Sequence, residues 1–594
     1  MVVCCIIDIV VRGDVKDTST IMNCKFSKTL LRRFSRATFY RKDIKDMSKF
    51  NGKKPGAPMK KNFMGEDAYV LSDKEALTSM VMTTFLADSY YVSESDLVNN
   101  ILTLVGKCGN EFAAKLALYA RTKGNLRSVS HLLAAIVCRD SDHPSWLKSF
   151  YEHIVLRPDD ISEILSCYGK LNGFDLNKLR KIPNAMKKGF STVLSNLSPY
   201  QIDKYKMNGK SLSLVDIVNL LHPTPTDKNR EAYRRLMHGE SLAGTYDAKI
   251  LEKEMAETGK NASNEQELVL AKHDAIKSVL EKGMPIMNLL RNLRNIMLYA
   301  PDLVDEAIKQ LTNHDKIVNS KLLPFRFMSA YDAVNAVTIE NYDSDNESEI
   351  QFESEIPSMD ANRLESIKAK VTQALEDAMS IACENVPDLE GNCAILIDHS
   401  GSVRGDWGGD SRVSPWSSVR TAHIGNLFGS IVAFKQKDVY IGMFGDKLIK
   451  PRIDRSIGLL KFNKMTYDEG DKCGGATENG LYTFLKNAIR EKKHIDNFIV
   501  FSDMEIGNGG EGEWDYTSTS SVKFKDLFRE FRKINPNCLT VCCNIRGQSG
   551  TSVFNPNLKI LNVSGWSNNI FDVISMYKAG KLKSMVEDIE KMDI

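Results

Sequence analysis

The sequence predicts a multidomain protein, a long all-α helical-repeat body followed by a doubly wound α/β domain. Three observations carry this. Apolar residues recur at spacings of three and four from about Asp73 to Lys370, buried apolar runs alternate with helices after Gly391, and the first sixty residues match neither pattern. The 594 residues exceed what one core holds at about 100 to 200 residues per domain. An apolar content of 42% and a charged content of 26% exclude wholesale disorder.

Residues 1–60 are expected to be a basic, disordered leader. From Lys25 to Lys61 there are thirteen Lys or Arg against Asp43 and Asp46, a tract that attracts polyanions regardless of sequence. The opening MVVCCIIDIVV lacks a basic segment before it, carries Asp8, and is far shorter than the ~20 residues of a membrane span. Twelve cysteines with no CxxC pair argue against a disulfide scaffold or a zinc ribbon, and Cys538, Cys542 and Cys543 sit in an apolar run (CLTVCCNI) that suits a buried strand. A soluble, cytoplasmic protein without membrane contact is the expectation. The overall charge, 79 − 76 = +3, favours no partner class, so its distribution matters.

Residues 61–385 form the helical part. Lys74–Ala87, Glu94–Val105, Glu111–Arg121, Leu126–Cys138 and Ile161–Leu171 are segments too short to be stable alone, so each must bury its stripe against neighbours. Consecutive helix pairs of this size imply a HEAT-type solenoid. An insertion at 340–360 holds eight Asp or Glu and no Lys or Arg, and is expected to be solvated; a helix from Ala361 to Glu384 follows.

Residues 386–594 alternate strands (CAILID, DVYIGMF, NFIVFSD, CLTVCCNI, KILNV) with helices over Thr421–Phe434, Glu478–Glu491, Val522–Ile534 and Asn569–Tyr577. Such a sheet is parallel and binds ligands at the carboxyl ends of its strands. Three separated pieces fall there: Asp398-His399-Ser400-Gly401-Ser402 after CAILID, Thr477 in the loop before a helix, and Asp503 at the end of NFIVFSD. Mg²⁺ prefers oxygen and takes few direct protein ligands, so Ser400, Ser402 and Thr477 can offer hydroxyls while Asp398 and Asp503 offer carboxylates. A shell rich in neutral oxygens leaves the ion electrophilic towards an outside carboxylate or phosphate, which is a docking chemistry. The pattern resembles the metal-ion-dependent adhesion site of von Willebrand factor A domains. His399 is expected not to ligate. Two Arg-Gly-Asp tripeptides, at Arg12 and Arg404, are taken as turns. No Ser/His/Asp triad, GxGxxG or GxxxxGK[ST] is found, so no enzymatic activity is expected.

From Lys170 to Lys210 nine Lys or Arg face Asp175 and Asp203, a net charge of +7. Lys170, Arg180, Lys181, Lys187, Lys188, Lys204, Lys206 and Lys210 can neutralise phosphates, and Tyr200, Tyr205 and His222 can stack on or hydrogen-bond to unpaired bases. The run from KLRKIPNAMKKGF to VNLLHPTP resembles the central segment of the TROVE module of the SS-A/Ro ribonucleoprotein autoantigen family. GMPIMNLLRNLRNI (Gly283 to Ile296) and LLPFRFMSAY (Leu322 to Tyr331) are similar to it as well.

The resemblance implies that the helical repeats close into a ring whose ends the A-type domain bridges. It implies binding of the ends of misfolded small noncoding RNAs through a basic hole and of Y RNA on the outer surface. Lys204 and His222 fall at Y RNA contacts in the KYK and LHP stretches, and Lys187 and Lys188 match a basic pair on an adjacent helix. The Tyr205–Asp216 spacing is one residue longer than in animal relatives, which leaves the exact roles of Lys206 and Lys210 open. The expected protein is a monomer within a ribonucleoprotein, with an acidic protein or an exoribonuclease as a further partner. The alternative is a protein-interaction scaffold that uses the cation site without RNA.

Overall fold

Local capping signals start the helices where apolar periodicity begins. The computed structural model describes residues 57–594 except 87–90, 139–143, 175–181, 241–264, 338–360, 385, 387, 406–409, 508–522 and 548–549. The leader up to residue 56, the acidic insertion, Arg180, Lys181 and the first Arg-Gly-Asp therefore lie outside the described residues. Residues Met59–Ile594 form one compact unit. Strand β1 (Met59–Lys61) begins the described secondary structure, next to the expected leader boundary at 60. That strand pairs antiparallel with β2 (Asp67–Val70), which pairs in turn with Thr551–Ser552 near the far end of the chain. Backbone pairing across a long sequence gap is invisible to a local reading of charge and hydropathy.

The helical array begins with α1 (Asp73–Met82), α2 (Glu94–Cys108), α3 (Asn110–Thr122), α4 (Ser128–Ile136), α5 (Leu147–Ile154) and α6 (Pro158–Leu171). Ser72 and Glu75 form a reciprocal capping box at α1, satisfying amides that helix geometry leaves without partners. The array continues with α7 (Asn184–Ser195), α8 (Pro199–Lys204), α9 (Leu214–Leu221) and α10 (Arg230–Met237). Its last helices include α11 (Glu265–Lys282), α12 (Ile286–Tyr299), α13 (Val304–Leu311), α14 (His314–Ser320), α15 (Phe325–Asn335) and α16 (Ala361–Ala382). Helices stack on next-but-one neighbours, α4 on α6 and α5 on α7, as a solenoid requires.

One buried carboxylate organises the first turns of this stack. Asp160 of α6 is fully buried and accepts from Arg121 of α3 at 2.9 Å, from Arg127 at 2.9 Å and from the backbone amides of Leu156 and Arg157, and it pairs with His131 of α4 at 3.0 Å. Burial alone would raise its pKa, but the hydrogen bonds and charges of His131 and Arg121 outweigh it and hold the carboxyl well below the usual range.

The α/β domain has a six-stranded sheet in which β3 (Cys393–Asp398), β4 (Val439–Phe444), β6 (Asn497–Ser502), β7 (Leu539–Asn544) and β9 (Ile560–Ser564) run parallel, with β5 (Leu448–Ile449) as an antiparallel edge. The spatial order is β5-β4-β3-β6-β7-β9, and β8 is the Thr551–Ser552 strand paired to β2. This is the doubly wound order with its switch point between β3 and β6.

The domain touches both ends of the array. Ser567 Oγ donates to the Lys123 carbonyl at 2.9 Å, just past α3, while the neighbouring Asn568 side-chain amide donates to the Ala382 carbonyl at the end of α16. Two helix C-termini, one from each end, thus find partners for carbonyls that helix geometry leaves open. Glu376 of α16 accepts from the amides of Leu460 at 2.9 Å and Lys461 at 3.1 Å, capping the domain helix Leu459–Glu469 in place of Gly458, which has no side chain. The array is closed into a ring by the domain. Among the described residues no helix is long and apolar enough to cross a membrane.

Asp160→Asn is expected to lower stability at neutral pH by about 3–5 kcal/mol, because it strands buried cations. A depressed folded pKa gives stability that is present above the ordinary carboxylate range and lost as pH falls, so urea titrations should show the difference from wild type narrowing in acid. Gly458 adopts φ +91° and a Cβ there would lie 2.6 Å from Glu376 Oε1, so Gly458→Ala should cost about 1–2 kcal/mol by strain and loss of the cap, measured as a lower denaturant midpoint.

Candidate nucleic-acid interface and candidate cation site

Of the predicted basic residues that are described, Lys187, Lys188 and Lys204 lie on short helices. Pro183 precedes α7, whose Met186, Phe190 and Leu194 are buried while Lys188 is exposed and Lys187 half-buried. Ser198 and Gln201 cap α8 reciprocally, and Lys204 closes it. Helix α9 stops at His222, which is exposed and left-handed at φ +48°. Ser191 Oγ donates to the Leu221 carbonyl at 3.0 Å, so the end of α9 with His222 lies beside α7, one turn beyond Lys187.

A second cluster joins cations to rings. Lys204 Nζ lies 5.1 Å from the Tyr200 ring and 5.7 Å from that of Tyr205, and donates to the Tyr200 hydroxyl at 3.0 Å. Arg157, for which the sequence holds no local signal, stands 5.1 Å over Tyr205. A cleft of about 300 Å³ opens between these elements, lined by Leu156, Arg157, Thr192, Asn196, Leu197 and Gln201. Lys170 and Lys210 are exposed on the end of α6 and on the turn after α8. Lys206, whose role the sequence left open, is paired with Asp203 at 2.7 Å, which offsets its charge, and donates to the Glu240 carbonyl at 3.2 Å.

At the carboxyl edge of β3 and β6, Asp398, Ser400, Ser402 and Asp503 are brought together and buried. Asp398 accepts from the Ser400 amide at 2.9 Å and from Ser502 Oγ at 2.6 Å, while Ser400 and Ser402 hydroxyls stand 3.3 Å apart. Asp503 Oδ1 accepts from the Glu505 amide at 3.1 Å, whereas its Oδ2 has no hydrogen-bond partner among the described residues. The loop carrying Thr477 is tied in by the Gly401 amide donating to the Gly475 carbonyl at 2.8 Å. Thr477 itself donates its hydroxyl to Asp446 at 2.8 Å. Gly474, at φ +77°, permits this approach, since a Cβ there would sit 2.3 Å from Asp446 Oδ2.

The site carries more negative charge than its surroundings neutralise. Burial, and then the charge of Asp503, pushes Asp398 up to about 7, and burial raises Asp503 as well. Glu478 is buried beside them and is pushed well above the carboxylate range by burial and then by Asp398. Arg546 is the basic group whose charge reaches Asp503. Such a cluster, with one orphaned carboxylate oxygen and adjacent hydroxyls, fits a hard divalent cation. Among the described residues no group of three or more His, Cys, Asp or Glu is arranged to hold a metal by itself, so hydroxyl oxygens are needed.

His399 points away from this cluster. Its Nδ1 accepts from Arg404 at 2.7 Å, its Nε2 faces Asn426 Oδ1 at 3.1 Å, and burial followed by the Arg404 charge lowers its pKa to about 3. Residues missed from sequence include Asp446, Glu478, Ser502 and Tyr91. Asp446 and Ser502 were findable as polar residues at strand ends, and Glu478 as the neighbour of Thr477. Tyr91, whose phenol is pushed up by burial and then by the charges of Asp503 and Glu478, comes from the helical part and left no local signal.

A model of the TROVE domain matches residues 71–279 and 277–391. Telomerase protein component 1 of Rattus norvegicus is 21% identical over 359 residues, and that of Mus musculus 22% identical over 338 residues. These matches cover 47% and 45% of this chain but only 14% and 13% of those longer relatives. The crystal structure of the Deinococcus radiodurans Ro (RSR) protein shares the fold, with a TM-score of 0.51 and 14% identity, covering 86% of this chain and 100% of that one. With the domain model spanning more than half of its length over the closed helical array, the chain belongs to the TROVE family.

Proposed function

We propose that the chain is an RNA-binding ribonucleoprotein component that holds small noncoding, Y-like RNA and the single-stranded ends of misfolded RNAs, acting in RNA stabilisation or quality control. Membership in the TROVE family supports the RNA-binding part. The finer reading is carried by one observation, the grouping of Lys187, Lys188 and His222 at the α7–α9 junction, with the Tyr200–Lys204–Tyr205–Arg157 cluster on neighbouring elements. Lysines release counterions from phosphates, and tyrosine and arginine faces stack on unpaired bases. A ring opening that admits a loose strand but no duplex discriminates by shape. The protein acts in the cytoplasm, as a monomer within its particle, and performs no chemistry on the RNA.

The same reading gives the α/β domain a divalent cation, Mg²⁺, held by Asp398, Ser400, Ser402, Thr477 and Asp503. The ion would supply an electrophilic point for an outside oxygen, and an acidic protein or an exoribonuclease is the partner class it suits. The buried, under-neutralised carboxylates support this assignment.

Lys187→Glu, Lys188→Glu and Lys204→Glu combined should weaken binding of a small RNA bearing a single-stranded 3′ tail and flatten its salt dependence, the logarithmic slope falling by about one for each phosphate no longer neutralised. Fluorescence anisotropy across a salt series, repeated with chelator, reads this; unchanged affinity in the triple variant, or affinity abolished by chelator alone, would refute the lysine face. End-labelled RNA incubated with the wild-type protein and Mg²⁺ should stay full length on a denaturing gel, whereas shortened RNA would reassign the chain as a nuclease.

A further inference from the structure

The cleft of about 300 Å³ beside Arg157 forms where the end of α5 and the start of α6 meet the end of α7 and α8. Gly189 of α7 sets the spacing. A Cβ there would lie 2.6 Å from Tyr151 Cβ and 2.8 Å from the Lys148 carbonyl oxygen, so α5 and α7 touch at backbone distance. One turn further along both helices, Thr192, Val193 and Asn196 share the cleft with Glu152, Val155 and Leu156.

Both lips of the cleft are pinned by buried side chains. Asp160 accepts from the Leu156 and Arg157 amides at 3.1 and 3.0 Å. Asn229, only 1% exposed, donates its Nδ2 to the Ser195 and Leu197 carbonyls, each at 2.9 Å, and the Tyr233 hydroxyl donates to the Leu194 carbonyl at 2.6 Å. Support of this kind holds the groups around the cleft in fixed positions, as recognition of a small planar group requires.

The polar groups in the cleft are of uneven kind. Thr192 Oγ1 donates to the Lys188 carbonyl at 3.1 Å and Asn196 Nδ2 to the Thr192 carbonyl at 2.9 Å, which leaves Thr192 Oγ1 and Asn196 Oδ1 as acceptors. Gln201 is the opposite case. Its Oε1 accepts from the Ser198 amide at 3.0 Å and the Ser198 hydroxyl at 3.1 Å, leaving the Nε2 amide as a donor. Glu152 adds a carboxylate whose buried Oε1 stands 3.2 Å from Lys148 Nζ and accepts no hydrogen bond among the described residues. A carboxylate repels phosphate, so beside Arg157 and the exposed Lys188 it selects against the backbone of an RNA and for a base. Leu156, 44% exposed, and the buried Leu197 supply apolar surface for the faces of a flat ring.

Base edges differ in a way that this set can read. Guanine carries adjacent N–H donors at N1 and N2, which one carboxylate accepts together, and beside them O6, which suits an amide donor. Adenine and cytosine place a ring-nitrogen acceptor next to their amino group, and uracil flanks its N–H with carbonyls, so each sets a lone pair against a carboxylate. We infer that this cleft binds an unpaired guanine of an RNA, Glu152 accepting from N1 and N2, Gln201 donating to O6, and Arg157 and Lys188 neutralising the flanking phosphates. The inference rests on the RNA-binding reading above and adds a base preference to a surface otherwise blind to sequence.

The test uses the full chain and fluorescein-labelled uridine heptamers with guanosine, adenosine, cytidine or uridine at the centre, read by fluorescence anisotropy at low salt. The guanosine heptamer should bind about tenfold tighter than the other three. Inosine at the centre, which lacks the N2 amine, should lose most of that difference with no change to the protein. Glu152→Gln, checked for an unchanged melting temperature, should erase the difference among the four. Equal affinity for all four heptamers, or a guanosine preference that survives Glu152→Gln, overturns the guanine site while leaving RNA binding in place. No binding of any heptamer or of a tailed small RNA removes the RNA reading and the site with it. Titration with GMP separates the two sources of the base: weak GMP binding supports a guanine carried by RNA, whereas GMP binding as tight as that of the guanosine heptamer overturns that source in favour of a free nucleotide.

Discussion

The structure depends on closure of a helical array by a domain that grips both of its ends. A solenoid buries each helix against its neighbours but leaves its terminal surfaces open, and those surfaces must be capped. The cap here is the α/β domain, and its hold is concentrated at consecutive residues. Trp566 is fully buried with its ring 4.9 Å from that of Phe85, Ser567 reaches the end of α3, and Asn568 reaches the end of α16. The β2–β8 pairing, the bond from the Gly547 amide to Thr83 at 2.7 Å and that from Tyr119 to Asp588 at 2.9 Å extend the grip at the start of the array, and Glu376 extends it at the end. The α/β domain thus shares hydrogen bonds with both ends of the array.

Charge is handled in opposite ways on the two parts. On α7 to α9 the cations sit on the surface among tyrosines, where water screens them and a polyanion can displace counterions. At the strand edge of the α/β domain, carboxylates are packed away from water, and burial with their mutual charge raises their pKa values. The first arrangement leaves its charge open to solvent, and the second holds its acids in fixed positions away from it. The pairing of Lys206 with Asp203 shows which of the nine cations one of the two acids in that stretch offsets.

Much of this was legible in the sequence, for reasons that are local. Spacings of three and four placed α2, α3 and α6 within a few residues, because side chains on one face of a helix must recur with its turn. Uninterrupted apolar runs marked β3, β6 and β7, because a strand buried on both faces has no polar side. Asp398, Ser400, Ser402 and Asp503 were found as polar residues ending such runs. Short or edge elements escaped: β5 has two residues and β1 is exposed throughout, so neither carries a burial pattern.

What the sequence determined by itself was the order of elements, the two textures of the chain, and the residue types available at each strand end, all of which follow from periodicity within a window of a dozen residues. Only the tertiary structure decided which distant pieces meet. It turned Thr477 towards Asp446, put Arg157 over Tyr205, and fastened the turn of Asn62 and Phe63 to Ile506 and Glu505. The reason is physical: pairings between residues hundreds of positions apart arise from the packing of whole elements, and no local pattern of hydropathy or charge encodes them.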